Sequence, residues 1–371
     1  MGGNTLKNAD FGTLLNGMAI DGAGFTIKNF VVESTHSFGL FTVATNAHIT
    51  IKNLNIGSSE TPVMGTLNAT KVSESAERTS TGLLIGNGAA GFSFDIENVH
   101  VCTVLKASPE TTNQLYFGGL IGNVKMTANS TIKNCSVSGM VQNTMAVKSG
   151  SANIITYTGG FVGNVTGAKK LTIVNCVNNA ELKGGRHVGG LISTMNEANA
   201  TLEISNCVNN GSITSVLGAG GLIYYNKAKT VIQNCVNTGT VTMDSSGLKQ
   251  NTIGCGGLVG GVIGGTLTVD KSMNAGAVVI ANGENATASA SGGIIGIVNA
   301  GKANVTNGVV VVDVASTNVP ASQVVGWVKD ASYLEKVESC IYLGAVTGND
   351  TVTADDVRTE GEAVATDNVK M

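Results

Sequence analysis

The sequence predicts an all-β chain wound as a right-handed parallel β-helix, a three-sided β-solenoid of about ten coils with short N- and C-terminal caps. Three observations predict it. A glycine pair opens an apolar run six times, at Gly118, Gly159, Gly189, Gly220, Gly256 and Gly292, at intervals of 41, 30, 31, 36 and 36 residues. An Asn-Cys step recurs between these pairs, in TIKNCSVSG, TIVNCVNNA, EISNCVNNG and VIQNCVNTG. The composition, with 50 glycines, 3 prolines and only 13% charged residues in 371, lacks the Lys and Glu that clothe helices. Abundant Thr, Val, Ser and Asn suit strands and turns instead. A period near 30 residues, with three short strand-like segments and no helical periodicity, fits one coil of a parallel solenoid. Leucine-rich and ankyrin repeats of that length need helices, and a propeller blade needs four strands and roughly 40 residues.

Taken in order, residues 1–17 read as an N-terminal cap. NTLKNADFGTLLNG is a helical or irregular lead-in, with Asn8 placed to cap a turn and Phe11, Leu14 and Leu15 on one side. The repeat body spans 18–352. Its first turns are plain, TIKN at Thr26–Asn29 and ITIKN at Ile49–Asn53, each followed by alternating apolar residues. Polar text at 58–81, 106–114 and 141–157 reads as loops leaving the body. Lys271-Ser272 replaces Asn-Cys and the anchors blur over 300–335, which leaves the coil register open there. The charged tail 353–371, where Thr353 and Asp356 have capping-box spacing, reads as a short helix over the last coil. At about 4.8 Å per coil the body would be roughly 50 Å long.

A net charge of −3 provides no basic footprint for nucleic acid and no polybasic stretch for anionic lipid. No apolar run approaches the roughly 20 residues of a membrane-spanning helix, so no direct membrane insertion is expected. The start, MGGNTLKNADF, lacks the apolar segment of a signal peptide. The protein is therefore either cytoplasmic or exported by a signal that this start lacks, and the junction-like Met1-Gly2-Gly3 favours the second.

The Gly-Gly-Leu-Ile-Gly run followed by Asn-Cys-Val-Asn-x-Gly resembles the GLUG-type repeats of bacterial cell-surface proteins. The opening IDGAGFTIKNFVV with FGLF and ITIKNLNI, and the closing CIYLGAVTG and TADDV, are similar to the first and last coils of such domains. The resemblance covers most of residues 18–357. It implies a right-handed β-helix of the pectin-lyase-like class, and an exported surface or adhesin-like module, often from gut Bacteroidota, within a larger polypeptide. It implies no activity and no ligand, because the repeats of that family are structural.

Cys135, Cys176, Cys207 and Cys235 occupy one repeat position, with Ser272 as the next rung and Cys340 as a later one. A metal ladder or a disulfide stack is one reading. An inward row of small apolar thiols is the preferred one, since ligands spaced along a line do not converge on a point as zinc requires. Asn134, Asn175, Asn206 and Asn234 form the adjacent row, expected as a buried corner ladder in which each amide donates and accepts. Gly139, Gly211, Gly239 and Gly276 are expected to supply the positive-φ turn after it. Ile121, Val162, Ile192, Ile223, Val259 and Ile295 follow the first apolar residue of each Gly-pair strand. Strand alternation would turn them outward as a contact stripe, unless a bulge or corner turns both rows inward.

Enzymatic readings are weaker. Asp95 with Glu97, Glu181 with Lys183, and Arg186 with His187 are the inviting groups, and Arg186-His187 reads as a solvated corner. Aromatic residues make up 4% of the chain, with Tyr224, Tyr225, Trp327 and Tyr342 the candidates for sugar stacking. The expected function is a noncatalytic stalk or adhesin-like module with no cofactor and no metal. It would display loops on a rigid rod to an unknown protein or glycan, at the cell surface or in the medium. The alternative is a polysaccharide lyase or hydrolase. A third reading, an ice- or mineral-binding face, would use a row of Thr131, Thr172, Thr201 and Thr230.

Overall fold

Alternation of apolar and polar residues writes strands over almost the whole chain. The computed structural model describes residues 4–7, 11–68, 79–86, 91–107, 115–143, 156–244, 252–281 and 288–348, together with strands at Asp356–Arg358, Ala363–Ala365 and Asp367–Lys370. Every described element is a strand except the short 3-10 turn Ala331–Tyr333. Strands pair in parallel from coil to coil, and the one antiparallel pairing described joins Asp356–Arg358 to Ala363–Ala365. The chain is a parallel β-solenoid.

The central coil shows how sequence becomes shape. Lys170–Val174 buries Leu171 and Ile173 and turns Thr172 outward, as the two-residue period of a strand requires. A corner at Asn175-Cys176 leads into Val177–Lys183, a tight connection leads to His187–Gly189, and a second corner leads to Ile192–Met195. This coil thus carries four strands, one more than the sequence suggests. Three of them join a large 33-stranded sheet that winds around the rod, and the His187–Gly189 strand joins a separate eight-stranded sheet. Each buried Leu, Ile or Val contributes about 1.5–3 kcal/mol, and they merge into a core that runs from Leu14 to Tyr342. One ladder can be followed through eleven rungs, from Asn4–Lys7 to Val346–Thr347. Its register continues through the stretch where the anchors blur, with Val278 opposite Val314 and Val314 opposite Val346.

The extra strand decides between the two readings of the contact stripe, in favour of the inward one. Ile121, Val162, Ile192, Ile223, Val259 and Ile295 are all fully buried, as are their neighbours from Leu120 to Ile294. The glycine pair does not open one strand. It ends a strand of the eight-stranded sheet, and Ile121 begins a strand of the other sheet. Alternation restarts across this corner, so both rows point inward.

The ends differ from expectation as well. Asn4–Lys7 is a strand beside Phe30–Glu33, and Thr13–Leu14 pairs with Thr42–Val43, so the lead-in forms part of the first coil and not a helix. Leu14 is buried, Phe11 and Leu15 are exposed, and Asn8 lies outside the described residues. At the other end the described tail is strand where a helix was expected, with Trp327 opposite Arg358 and Ile341 opposite Val369. Strand edges left by the last coil attract further strands more readily than a helix. The polar stretch 58–81 contains the strand Val63–Leu67 and the start of Thr79–Gly82, and the other two loops are shortened by strands that run to Ala107 and Asn143.

Candidate functional site

The predicted ladders are the first elements to place. Asn134, Asn175, Asn206 and Asn234 sit at φ of 53° to 54°, the left-handed conformation that Asn tolerates better than most residues. Their amides link coil to coil, Asn175 to Asn134 at 3.1 Å, Asn206 to Asn175 at 3.2 Å and Asn234 to Asn206 at 3.4 Å. This ladder lies on the surface and not in the core as expected. The asparagines themselves make the positive-φ turn. Of the glycines assigned to that turn, Gly139 has φ of 92°, whereas Gly211 is needed because a Cβ there would come 1.9 Å from the Ala180 carbonyl oxygen.

A second asparagine ladder, absent from the sequence reading, lies inside. Asn178, Asn209, Asn237 and Asn274 are fully buried. Each Nδ2 donates to the next Oδ1, at 2.7, 2.7 and 2.8 Å in turn. Asn209 and Asn237 also donate to the carbonyls of Gly211 and Gly239, at 2.9 and 2.8 Å. The ladder has a direction and it ends. Val310 occupies the rung after Asn274, whose Nδ2 has no acceptor.

Cys135, Cys176, Cys207 and Cys235 are buried, unpaired, and donate to the carbonyls two residues before them at 3.2 to 3.3 Å. Contact with neighbouring sulfurs, and then burial, pushes the Cys135 and Cys207 thiols up, and the same sulfur contacts push Cys176 and Cys235 down. Burial also pushes Cys255 up to about 12. Thiols enclosed in the core and spaced one per coil along a line are packing groups rather than ligands converging on a point. Among the described residues no cluster of three His, Cys, Asp or Glu side chains is placed to hold a metal ion.

One line has the composition of a catalytic triad. Ser93 Oγ lies 2.9 Å from His48 Nδ1, and His48 Nε2 lies 3.0 Å from Asp95 Oδ2. Its geometry does not serve acyl transfer. Ser93 is 1% exposed, the Ser93 and Phe94 N–H groups already donate to Ala47 O and Ser130 Oγ, and Thr131 Oγ1 donates to Asp95 at 2.6 Å. An incoming carbonyl would find neither access nor an oxyanion donor there. Glu97 and Glu181 pair with Lys133 and Lys183 at 3.1 and 2.7 Å on the surface. The threonine row also dissolves, because Thr172 lies opposite Glu203 and Thr230 is buried opposite Leu202.

The group that stands out is an aromatic seam on the outer face of the eight-stranded sheet. Tyr116, Tyr157 and His187 are aligned by register, two residues before successive glycine pairs. Tyr116 stacks on Tyr157 at 5.3 Å and 12°, and His187 follows at 5.2 Å and 45°. The next rung is Gly218, and Tyr224 from the adjoining strand lies over it, stacked on His187 at 4.6 Å and 21°. A Cβ on Gly218 would meet the Tyr224 ring at 2.0 Å. The row two residues after Ile121 and its equivalents is Asn123, Asn164, Thr194 and Tyr225. Arg186, expected as a solvated corner, is 7% exposed, with its N–H on Thr156 Oγ1 and its carbonyl accepting from Ser215 Oγ. Trp327 and Ile297 lie further along the same face, in a small apolar cluster with Ala290. Tyr342, the remaining aromatic candidate, belongs to the core.

Burial first, and then the Arg186 charge, push the His187 imidazole down to about 3. Its unfolded-state value is near 6.5, so the unfolded chain binds the proton first on acidification. Stability is expected in full above pH 6.5 and lost as pH falls toward 3, by at most about 1.4 kcal/mol per unit. Urea midpoints between pH 7 and pH 4 check this, since His187→Gln should flatten the dependence. An unchanged slope would show that the ring titrates freely.

Fold and seam together define a parallel β-solenoid with one aromatic outer face. No family model matches the chain, and no curated protein matches it. Among solved structures it is similar to a crystal structure from Bacteroides ovatus described as a "putative immunoglobulin A1 protease", at 16% identity over 85% of each chain, with a TM-score of 0.47.

Proposed function

We propose that the chain is a noncatalytic display module, an adhesin-like or stalk domain of an exported bacterial protein that contacts a protein or a glycan. One observation carries this reading. The connections 69–78, 108–114, 144–155, 245–251 and 282–287, which lie outside the described residues, all run from the large sheet into the eight-stranded sheet. The described strand ends that flank them, Leu67 and Thr79 or Asn143 and Thr156 for example, therefore line one corner of the rod, beside the aromatic seam. Variable segments on one edge of an invariant stack are the usual arrangement of a repeat protein that binds. The covered Ser93 and its committed neighbours support the noncatalytic part. Among the described residues no helix is long and apolar enough to cross a membrane.

The test is turnover and retention on one preparation. Oligosaccharides and denatured protein substrates incubated with the chain should be recovered intact by mass spectrometry, while immobilised surface glycans or host proteins retain it. Release of fragments that Ser93→Ala abolishes would replace this reading with a hydrolase.

A further inference from the structure

The two ends of the rod are unlike. At the last coil, the strands of Trp327 and Ile341 carry the tail strands Asp356–Arg358 and Asp367–Lys370. At the first coil, Ala19–Asp21 pairs with the second coil on one edge, and no described strand pairs with the other. Ile20 and Ile27 are half-buried there, whereas Ile51 and Ile56, their partners one coil on, are fully enclosed. Among the described residues seven large apolar side chains are exposed, and four of them, Phe11, Leu15, Met18 and Phe25, belong to this coil. At roughly 200 Å² per large side chain, exposures of 44% to 77% leave roughly 400 Å² of apolar surface. A patch of that size marks a contact surface.

Ala19–Asp21 is flanked alike on both sides. Before it a turn closes with Met18 N–H on Leu15 O at 3.0 Å, and after it one closes with Phe25 N–H on Gly22 O at 2.8 Å. The second turn forms because four residues, 22–25, stand where the second coil has Asn53-Leu54. Each turn exposes an apolar side chain, Leu15 five residues before Ile20 and Phe25 five residues after it. The backbone edge is arranged to match. Met18 C=O accepts from Thr50 N–H and Gly22 N–H donates to Lys52 C=O, so by alternation Ile20 also bonds to the second coil. The N–H and C=O groups of Ala19 and Asp21 then point to the open edge, which invites a further strand.

We propose that this end is an interface closed by a second copy of the chain, about a two-fold axis through Ile20. Ala19–Asp21 pairs antiparallel with the same strand of the other copy, Ala19 of each exchanging backbone bonds with Asp21 of the other. Opposite residues of such a pair share a face, so Ile20 meets Ile20 on the inner side and the core runs on through the junction. Leu15 of each copy comes against Phe25 of the other, the reciprocal contact that a two-fold requires. Charge does not oppose it. Lys7, Asp10, Asp21 and Lys28, the charged residues of 4–29, sum to zero, and Asp21 lies opposite Ala19 and not opposite its own copy. The strand edges and half-buried isoleucines extend the apolar patch toward the roughly 800 Å² per partner of a stable dimer. The last coil is not the complement, because the chain's own tail strands already pair with it.

Sedimentation velocity of the full chain between about 1 and about 100 μM tests this, with X-ray scattering for shape. The chain should reach twice the mass of one copy, and its longest dimension should grow from about 50 Å to about 100 Å. Leu15→Lys and Phe25→Glu should each weaken the pairing about tenfold or more, with the melting temperature of the single chain unchanged, because both side chains already lie in solvent there. An equal mixture of the two variants should pair again, because the introduced charges are opposite and face each other across the axis. A chain still monomeric at about 100 μM, a dimer no longer than one rod, or a mixture no tighter than either variant alone would each overturn the pairing. The display reading stands or falls apart from all of these results.

Discussion

Gly190→Ala is expected to leave no native protein. The second glycine of each pair sits at the corner between the two sheets, with the next coil stacked directly on it. A Cβ at Gly190 would come 1.8 Å from the Gly221 carbonyl oxygen and 2.8 Å from Asn209 Cγ. Neither can retreat. The carbonyl sits in the corner between Gly218–Gly220 and Ile223–Asn226, two strands held at about 4.8 Å by their ladders, and the amide belongs to the buried asparagine row. A loss of at least about 4 kcal/mol follows, the range reached when a core must be rebuilt. Circular dichroism and resistance to proteolysis of the soluble fraction check it. Gly261→Ala is the control, since its Cβ would meet only side-chain atoms, the nearest being Ile297 Cγ1 at 3.3 Å, with Ile263 Cδ1 at 3.9 Å. If Gly190→Ala melts within a few degrees of the parent, the corner is not packed as described.

Asn237→Ala is expected to cost about 3 kcal/mol, read as a lower urea midpoint. The side chain accepts from Asn209 and donates to Gly239 O and Asn274 Oδ1, all between 2.7 and 2.8 Å and all out of water. Truncation leaves the Gly239 carbonyl and one Asn209 N–H without partners. Asn206→Ala, on the exposed ladder at 3.2 and 3.4 Å, should cost less, because water replaces its bonds and only the preference for positive φ is lost. Val310→Asn should add about 1 kcal/mol by giving Asn274 Nδ2 an acceptor. Val310 stands against Gly293 as Asn237 stands against Gly221, so the space is shaped alike. Equal costs for the inner and outer asparagines would show that the buried ladder has no special weight.

Both results concern residues that the sequence displays and does not explain. The glycine pairs and the Asn-Cys steps were legible as a repeat, since each recurs in alignable text. Their directions were not. Asn134 and its equivalents were read as the inner ladder, yet the inner one begins two residues after the cysteine, at Asn178, Asn209 and Asn237. A residue at positive φ turns the chain and restarts the alternation, so counting by twos across Asn175 gives the wrong face. The same reset at Gly190-Leu191 buried Ile192 and its row. Three of the four seam rings were visible in principle, because Tyr116, Tyr157 and His187 each lie two residues before a glycine pair. Tyr224 was not, since it reaches the stack from a neighbouring strand over a glycine.

The sequence by itself determined the parallel solenoid, the positions of its corners and the rows that stack, because a repeat specifies what lies above and below each residue. Only the tertiary structure decided which rows face inward, how many strands make a coil, and that aromatic and uncharged polar side chains from two strands meet on one outer face. Those depend on the angle at each corner. That angle is set by the packing of backbone against backbone at Gly189-Gly190 and its equivalents, an interaction between coils that alternation along a single strand does not record.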